Sequence, residues 1–138
     1  MVRIELSRKD NAFLMEARNE SGNTILMDAG KDLGGQDAGM RPMQVLLASM
    51  GGCSVIDVIS ILKKKRQPAE DIQITIEGER EPNAEPSLYR KIHIHFKLFG
   101  KIEATAAEQA IKLSMEKYCS VAKTLEQSAV ITHSFEII

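Results

Sequence analysis

The sequence predicts an α+β fold in which antiparallel sheets are wrapped around one long central helix. Three observations along the 138 residues support this class. Short alternating stretches fill the first third of the chain, one almost uniformly apolar stretch follows, and a hairpin, two further helical patterns and a last strand complete it. Strands grouped in this way are typical of α+β folds rather than of a parallel βαβ series. Because the length and the 43% apolar content suffice for one core, we expect a single domain over residues 1–138.

The first third is predicted to be a β-meander. Its strands should cover Val2–Leu6, Ala12–Arg18 and Thr24–Asp28, with a turn at Glu20–Asn23 between the last two. The glycine-bearing segment Gly30–Gly39 should then form a flexible connection that could border a site.

The apolar stretch from Pro42 to Gln67 is predicted to be the central helix. Pro42 suits a first helical turn, the basic run Lys63–Arg66 complements the negative end of the helix dipole, and Pro68 stops the helix. Its apolar residues point in all directions, so we expect other elements to surround it, with a second subunit covering what one sheet cannot.

One narrow face of this helix is small and polar. Ser49, Cys53, Asp57 and Ser60 recur at i, i+4, i+8 and i+11, which places the thiol in the middle of that face. Two interpretations follow from the spacing. The face could line a pocket, or its small residues could simply let another backbone approach, with Cys53 as an inert buried thiol.

Composition excludes several classes of partner. The stretch Met43–Leu62 has roughly the length of a membrane span, but Asp57, three serines and a glycine pair would be costly in a lone lipid-facing helix. A net charge of −1 gives no field that would attract nucleic acid. Met1–Glu5 leads directly into a strand pattern rather than into a targeting stretch, which predicts a cytoplasmic protein.

The remainder of the chain is predicted to be a hairpin followed by two helices and a strand. Alternating apolar residues flank a polar loop at Glu81–Ser87, and Thr105–Glu108 has the spacing of a capping box that opens a helix through about Tyr118. A third helix should cover Val121–Gln127 and a final strand Val130–Ile137. The inward-facing hairpin residues should be Ile72, Ile74, Ile76, Ile92, Ile94, Phe96 and Leu98.

No metal or other cofactor is expected from the sequence. His93 and His95 share one face of a strand, and His133 lies on the last strand, but the inward positions between them are apolar, so these histidines should face solvent. The two cysteines, Cys53 and Cys119, are too far apart for a CxxC redox or zinc motif.

Two segments resemble the OsmC/Ohr superfamily of osmotically inducible and organic-hydroperoxide-resistance proteins, in its OsmC-like branch. The first is Pro42–Arg66, which includes Gly51-Gly52-Cys53, and the second is Glu116–Val121, which includes Cys119. The resemblance implies an intertwined homodimer and a peroxidase that defends against oxidative stress. It implies that Cys53 attacks an organic hydroperoxide and becomes a sulfenic acid. Cys119 would then resolve it to an intrachain disulfide, which an external dithiol reduces.

The sequence departs from the family pattern beside the helix cysteine. The position ten residues before Cys53, where hydroperoxide-resistance proteins carry an arginine-holding glutamate, is Met43, and Gln44 follows it. A glutamine brings no charge to hold an arginine. Arg18 and Arg41 are both candidates for the arginine that activates the thiol, and neither matches a family motif closely.

Three functional hypotheses remain. The first is a peroxidase whose substrate pocket is lined by Leu46, Ser49, Met50, Ile56 and Asp57 around Cys53. The alternative is a non-catalytic dimer that binds a small apolar or thiol-reactive ligand. The third is a purely structural dimer in which both thiols are inert.

Overall fold

The computed structural model describes residues 1–138 and confirms the α+β class. The chain forms two compact units, Met1–Leu46 and Leu47–Ile138, with a three-stranded sheet in each. A single domain over the whole chain stays a prediction.

The first unit contains the predicted meander. Strands β1 (Ile4–Arg8), β2 (Met15–Asn19) and β3 (Thr24–Met27) pair antiparallel in that order. β2 begins three residues later than predicted because Asp10 accepts hydrogen bonds from the backbone of Ala12 and Leu14, at 2.9 and 3.1 Å, and holds those residues in a turn.

The glycine-bearing connection is built around a buried carboxylate. Asp28 is 3% exposed, and its oxygens accept hydrogen bonds from the backbone N–H groups of Ala29, Gln36 and Ala38 at 2.8–3.1 Å. The bond from Ala38 is the main reason that the pKa of Asp28 lies below its usual value, while burial acts in the opposite direction. The carboxylate therefore fixes the path of the chain into the next helix.

Helix α1 covers Pro42–Lys64, three residues fewer than predicted at its end. Arg66 takes a left-handed conformation (φ 60°). Its N–H donates to the carbonyl of Lys63, and the N–H of Gln67 donates to the carbonyl of Leu62. This pattern is a Schellman ending, which stops the helix before Pro68.

A narrow stripe of α1 is buried within the chain, although the helix is apolar all round. The stripe comprises Met50, Gly51, Ser54, Val58 and Leu62. Ile56 and Ile59, by contrast, are 67% and 45% exposed. By length and composition α1 is also capable of crossing a membrane. The mean hydropathy of an 18-residue stretch of the helix is 2.1, and 28% of that stretch is buried within the chain.

The second unit contains a mixed sheet. Strands β4 (Asp71–Arg80) and β5 (Tyr89–Phe99) form the predicted hairpin, and β6 (Val130–Ile137) pairs parallel with β5. The expected antiparallel pairing is therefore wrong for β5 and β6, because the helices between them return the chain so that both strands run in the same direction. As predicted, the inward residues of β5 are buried: Ile92, Ile94, Phe96 and Leu98.

The crossover differs in detail from the prediction. Helix α2 covers Ala104–Leu113 with Glu103 at its N-cap and no side-chain capping bond, so the predicted Thr105 capping box does not form. Residues Ser114–Tyr118 form one π-helical turn, here called the π segment, and helix α3 covers Ser120–Leu125.

Candidate functional site

Cys53 lies on α1, one turn before Asp57. The helix continues through the Gly51-Gly52 pair without a break. Gly51 packs against β4, since a Cβ there would lie 2.5–2.6 Å from the terminal Cδ1 atoms of Ile76 and Ile74, which would have to shift, whereas Gly52 faces open space. The glycine pair thus brings α1 close to β4 without releasing backbone N–H groups toward the thiol.

Cys119 is positioned by the end of the π segment. Its N–H bonds to the carbonyl of Ser114 at 2.8 Å, five residues earlier, and its backbone is extended (φ −74°, ψ 99°). The side chain then caps α3, since Sγ accepts the N–H of Ala122 at 3.4 Å, and it donates to the carbonyl of Met50 on α1 at 3.9 Å. Single π turns inside helices are frequent at functional sites.

The fold brings Cys53, Asp57 and Cys119 together. The two sulfur atoms and a carboxylate oxygen of Asp57 all lie within 4.8 Å of one another. Both thiols are reduced; Cys119 is fully buried, while Cys53 and Asp57 are partly exposed. These three predicted site residues therefore form one cluster.

Two buried serines, which the sequence did not identify, support this cluster. The Ser54 and Ser114 hydroxyls lie 3.1 Å apart with no exposed surface, and Ser114 donates to Oδ2 of Asp57 at 2.9 Å. With Ser54 donating in turn to Ser114, each hydroxyl proton is used once and the chain ends on the carboxylate. Ser54 follows Cys53 directly, but no sequence pattern pointed to Ser114.

The surroundings of Cys119 disfavour its thiolate. Burial is the main cause that raises the pKa of this thiol to about 11, and the neighbouring Cys53 and Asp57 add to the rise, whereas the Ala122 N–H lowers it. Cys119 is therefore a neutral thiol at pH 7. A resolving cysteine depends less strictly on prior ionisation to the thiolate than an attacking cysteine does.

A cavity of about 360 Å³ adjoins the carboxylate side of the cluster. Asp57 is the one predicted pocket residue that lines it. Met50 has no exposed surface, Ser49 and Ile56 are exposed, and Leu46 belongs to the first unit. The complete lining is Asp57, Ser60, Ile61, Lys64, Lys65, Leu113 and Tyr118.

The two candidate arginines make their own contacts in the first unit. Arg18 pairs with Glu16 at 3.2 Å. Arg41 pairs with Asp37 at 2.9 Å and donates to the carbonyl of Gly39 at 3.0 Å.

The residues at the family's glutamate position also lie in the first unit. Gln44 accepts the backbone N–H of Arg41 at 3.0 Å, so it supports the start of α1 rather than a guanidinium, and Met43 is partly buried beside it.

His93 and His95 bond to hydroxyl groups across the parallel ladder. His93 contacts Thr132 and Ser134 at 2.7 and 2.8 Å, and His95 contacts Ser134 at 2.7 Å. Both rings are partly buried rather than fully exposed to solvent.

Comparison with known proteins yields consistent matches along the chain. A family profile described as OsmC-like protein matches residues 34–134. Protein YhfA of Escherichia coli K12 is 43% identical over 119 residues, which is 86% of this chain and 85% of that protein.

Solved structures extend the likeness to the whole fold. A hypothetical protein from Aquifex aeolicus VF5 has a TM-score of 0.86 at 38% identity, covering 100% of this chain and 96% of that one. An organic hydroperoxide resistance protein OsmC from Legionella pneumophila has a TM-score of 0.73 at 15% identity, covering 99% and 96% of the two chains. At that identity the second match concerns the fold alone.

Proposed function

The chain belongs to the OsmC-like protein family, and from this premise we propose that it is a thiol peroxidase that reduces organic hydroperoxides. The observation that supports the proposal is the approach of the Cys53 and Cys119 sulfur atoms to within 4.8 Å. Structural relatives with the same fold are named organic hydroperoxide resistance proteins.

The proposed reaction uses the two thiols in different roles. The Cys53 thiolate, on the partly exposed side, attacks the terminal oxygen of the hydroperoxide, which breaks the O–O bond, forms a sulfenic acid and releases an alkoxide that takes up a proton as the alcohol. The Cys119 thiol then attacks the sulfenic acid and forms a disulfide with loss of water. An external dithiol reduces the disulfide, and two thiols are restored while the reductant becomes a disulfide.

The burial of Cys119 supports this order of roles. A neutral buried thiol with a pKa of about 11 is a poor first nucleophile for peroxide, but it becomes effective once its target is held within a few ångströms. We therefore assign attack to Cys53 and resolution to Cys119.

The test is to expose the reduced protein to cumene hydroperoxide and, separately, to hydrogen peroxide. Intact mass and peptide mapping should detect rapid loss of both thiols and a Cys53–Cys119 disulfide, formed faster with the organic peroxide. Cys119→Ser should stop at an oxidised Cys53, and Cys53→Ser should leave Cys119 reduced. Unchanged thiols in folded protein would refute the proposal.

A non-catalytic binding protein is the second candidate function. The observation in its favour is that Arg41 is engaged by Asp37 and Gly39, while Gln44 is used at the start of α1. This candidate predicts slow peroxide chemistry together with binding of a small apolar or thiol-reactive molecule near Cys53. Comparable oxidation rates for Cys53 and for a free cysteine at the same pH would favour it.

We also propose that the protein acts as a cytoplasmic homodimer. The apolar outer side of α1, which includes Ile56 and Ile59, is the surface that a second copy would cover. Light scattering should give twice the chain mass, and Ile56→Glu should give a folded monomer. Val130→Glu, at a residue of similar exposure on β6, is the matched control and should remain dimeric.

A further inference from the structure

We propose that Cys53, Asp57 and Cys119 form a binding site for a thiophilic divalent cation such as Zn²⁺. The proposal starts from the chemistry of the donors. Two thiols and one carboxylate are ligands that Zn²⁺ and Co²⁺ accept, whereas Mg²⁺ and Ca²⁺ require oxygen donors. No sequence motif points to such a site, because Cys119 lies 66 positions after Cys53.

The arrangement of the ligands suits one ion. Cys53 and Asp57 occupy positions i and i+4 of α1, so their side chains project from the same face one turn apart. The third donor comes from the junction of the π segment and α3. All three donor atoms lie within 4.8 Å of one another, and ligand atoms around one tetrahedral Zn²⁺ are about 3.4–3.8 Å apart. The largest donor separation thus exceeds the tetrahedral value by about 1 Å, which is the approach that coordination would require of the side chains.

The serine pair gives the carboxylate ligand its orientation. Ser114 donates to Oδ2 of Asp57 at 2.9 Å, and Ser54 lies 3.1 Å behind it. Hydrogen bonds of this kind orient ligands in established metal sites, and their loss costs about 10–100-fold in affinity.

The site would have three protein ligands and one open position. Asp57 lines the 360 Å³ cavity, and Cys53 is partly exposed, so water or a small molecule can reach the fourth position. Asp57 takes part in no salt bridge within the chain, and a bound divalent cation would offset two of the three negative charges that the carboxylate and both thiolates bring to the site. Binding releases the two thiol protons to solvent.

This proposal does not rest on the peroxidase function, although both use the same thiols. Zn²⁺ binding and disulfide formation use the same two sulfur atoms, so they exclude each other. Zn²⁺ would thus protect the thiols from peroxide, and oxidation would release the ion.

The experiment is a Co²⁺ titration of the full, reduced, chelator-treated protein under anaerobic conditions. We expect thiolate-to-cobalt charge-transfer absorption and the visible bands of tetrahedral Co²⁺, saturating at one ion per chain and displaced by Zn²⁺. Asp57→Asn and Ser114→Ala should each weaken Co²⁺ binding by about tenfold or more. Asp71→Asn, at an exposed carboxylate on β4, is the matched control and should bind as the unmodified protein does.

Two results would overturn the proposal. One is the absence of thiolate-to-cobalt absorption in the folded protein. The other is an absorption that reaches half its maximum at the same Co²⁺ concentration in the unmodified protein, Asp57→Asn and Ser114→Ala, which would indicate adventitious binding to thiols. Circular dichroism verifies folding, and Ser114→Ala decides the outcome if Asp57→Asn unfolds. Peroxide oxidation of metal-free protein is measured separately, so failure of either proposal leaves the other interpretable.

Discussion

Ser114 donates a hydrogen bond to Asp57 at 2.9 Å and thereby joins the π segment to the central helix beside the two thiols. Both hydroxyls of the serine pair are fully buried, so neither can exchange this partner for water. Buried donors and acceptors that lose their partner are costly, and the contact therefore contributes both to stability and to the position of the carboxylate.

Ser114→Ala should destabilise the protein by about 1–3 kcal/mol, because the Ser54 hydroxyl and the Asp57 carboxylate both lose a buried partner. Urea unfolding followed by circular dichroism measures this change. Ser120→Ala, an exposed serine at the start of α3, should change stability by less than about 0.5 kcal/mol. Equal effects of the two substitutions would contradict the role of Ser114.

Alanine substitution should change stability differently at the two adjacent glycines of α1. In the monomeric Ile56→Glu background, Gly52→Ala should stabilise the chain by about 0.5–1 kcal/mol through helix propensity, since a Cβ there meets open space within the chain. At Gly51 the same gain is opposed by overlap with Ile74 and Ile76, which typically costs about 1–3 kcal/mol. Thermal unfolding of both variants should rank Gly52→Ala above Gly51→Ala, and the reverse order would refute the packing.

Alkylation of the reduced, metal-free protein should distinguish the thiols by pH. With its pKa near 11, Cys119 should resist iodoacetamide at pH 7–9 and react only as the pH approaches 11, whereas unfolding should expose both thiols to reagent. Asp57→Asn should shift the Cys119 profile to lower pH, because the Asp57 charge is one of the causes that raise this pKa. Peptide mass mapping after timed exposure reports each site, and fast labelling of native Cys119 at pH 7 would contradict its burial.

Acid should loosen the connection before α1. The pKa of Asp28 is lower in the folded chain than its ordinary value of 3.8, so its contribution to stability is present above that value and is lost as the pH falls through the folded pKa. Hydrogen exchange at the Gln36 and Ala38 amides should therefore accelerate below about pH 4 beyond the intrinsic trend. Asp28→Asn should show fast exchange at all pH values, whereas Asp32→Asn, in the same loop, should not.

The sequence predicted the elements well where local patterns decide them. The final strand was placed at its observed bounds, Val130–Ile137, and α1 was placed from its proline start to within three residues of its end. The Thr105 capping box failed because a spacing of residue types does not determine whether the first residue is a cap or already helical. The parallel pairing of β6 was missed because pairing direction depends on the crossover and not on the strand itself.

Local patterns also made part of the site predictable. Cys53 and Asp57 share a helix face, which periodicity determines, and the resemblance to a family added Cys119. Ser114 came from neither source, because it reaches Asp57 through the π turn, a feature that no residue pattern specifies.

The parallel ladder between β5 and β6 determines the order in which this unit can assemble. The β4–β5 hairpin joins two strands that are consecutive in the sequence. Lys91, by contrast, pairs with Val130 only after the segment 100–129 has folded back on the sheet, and such non-local contacts form slowly. Cys119 lies inside that segment, so it meets Cys53 late in folding. In a refolding experiment, the first appearance of a Cys53–Cys119 disulfide should therefore report when the segment 100–129 packs onto the sheet. The β4–β5 hairpin should already be formed at that time.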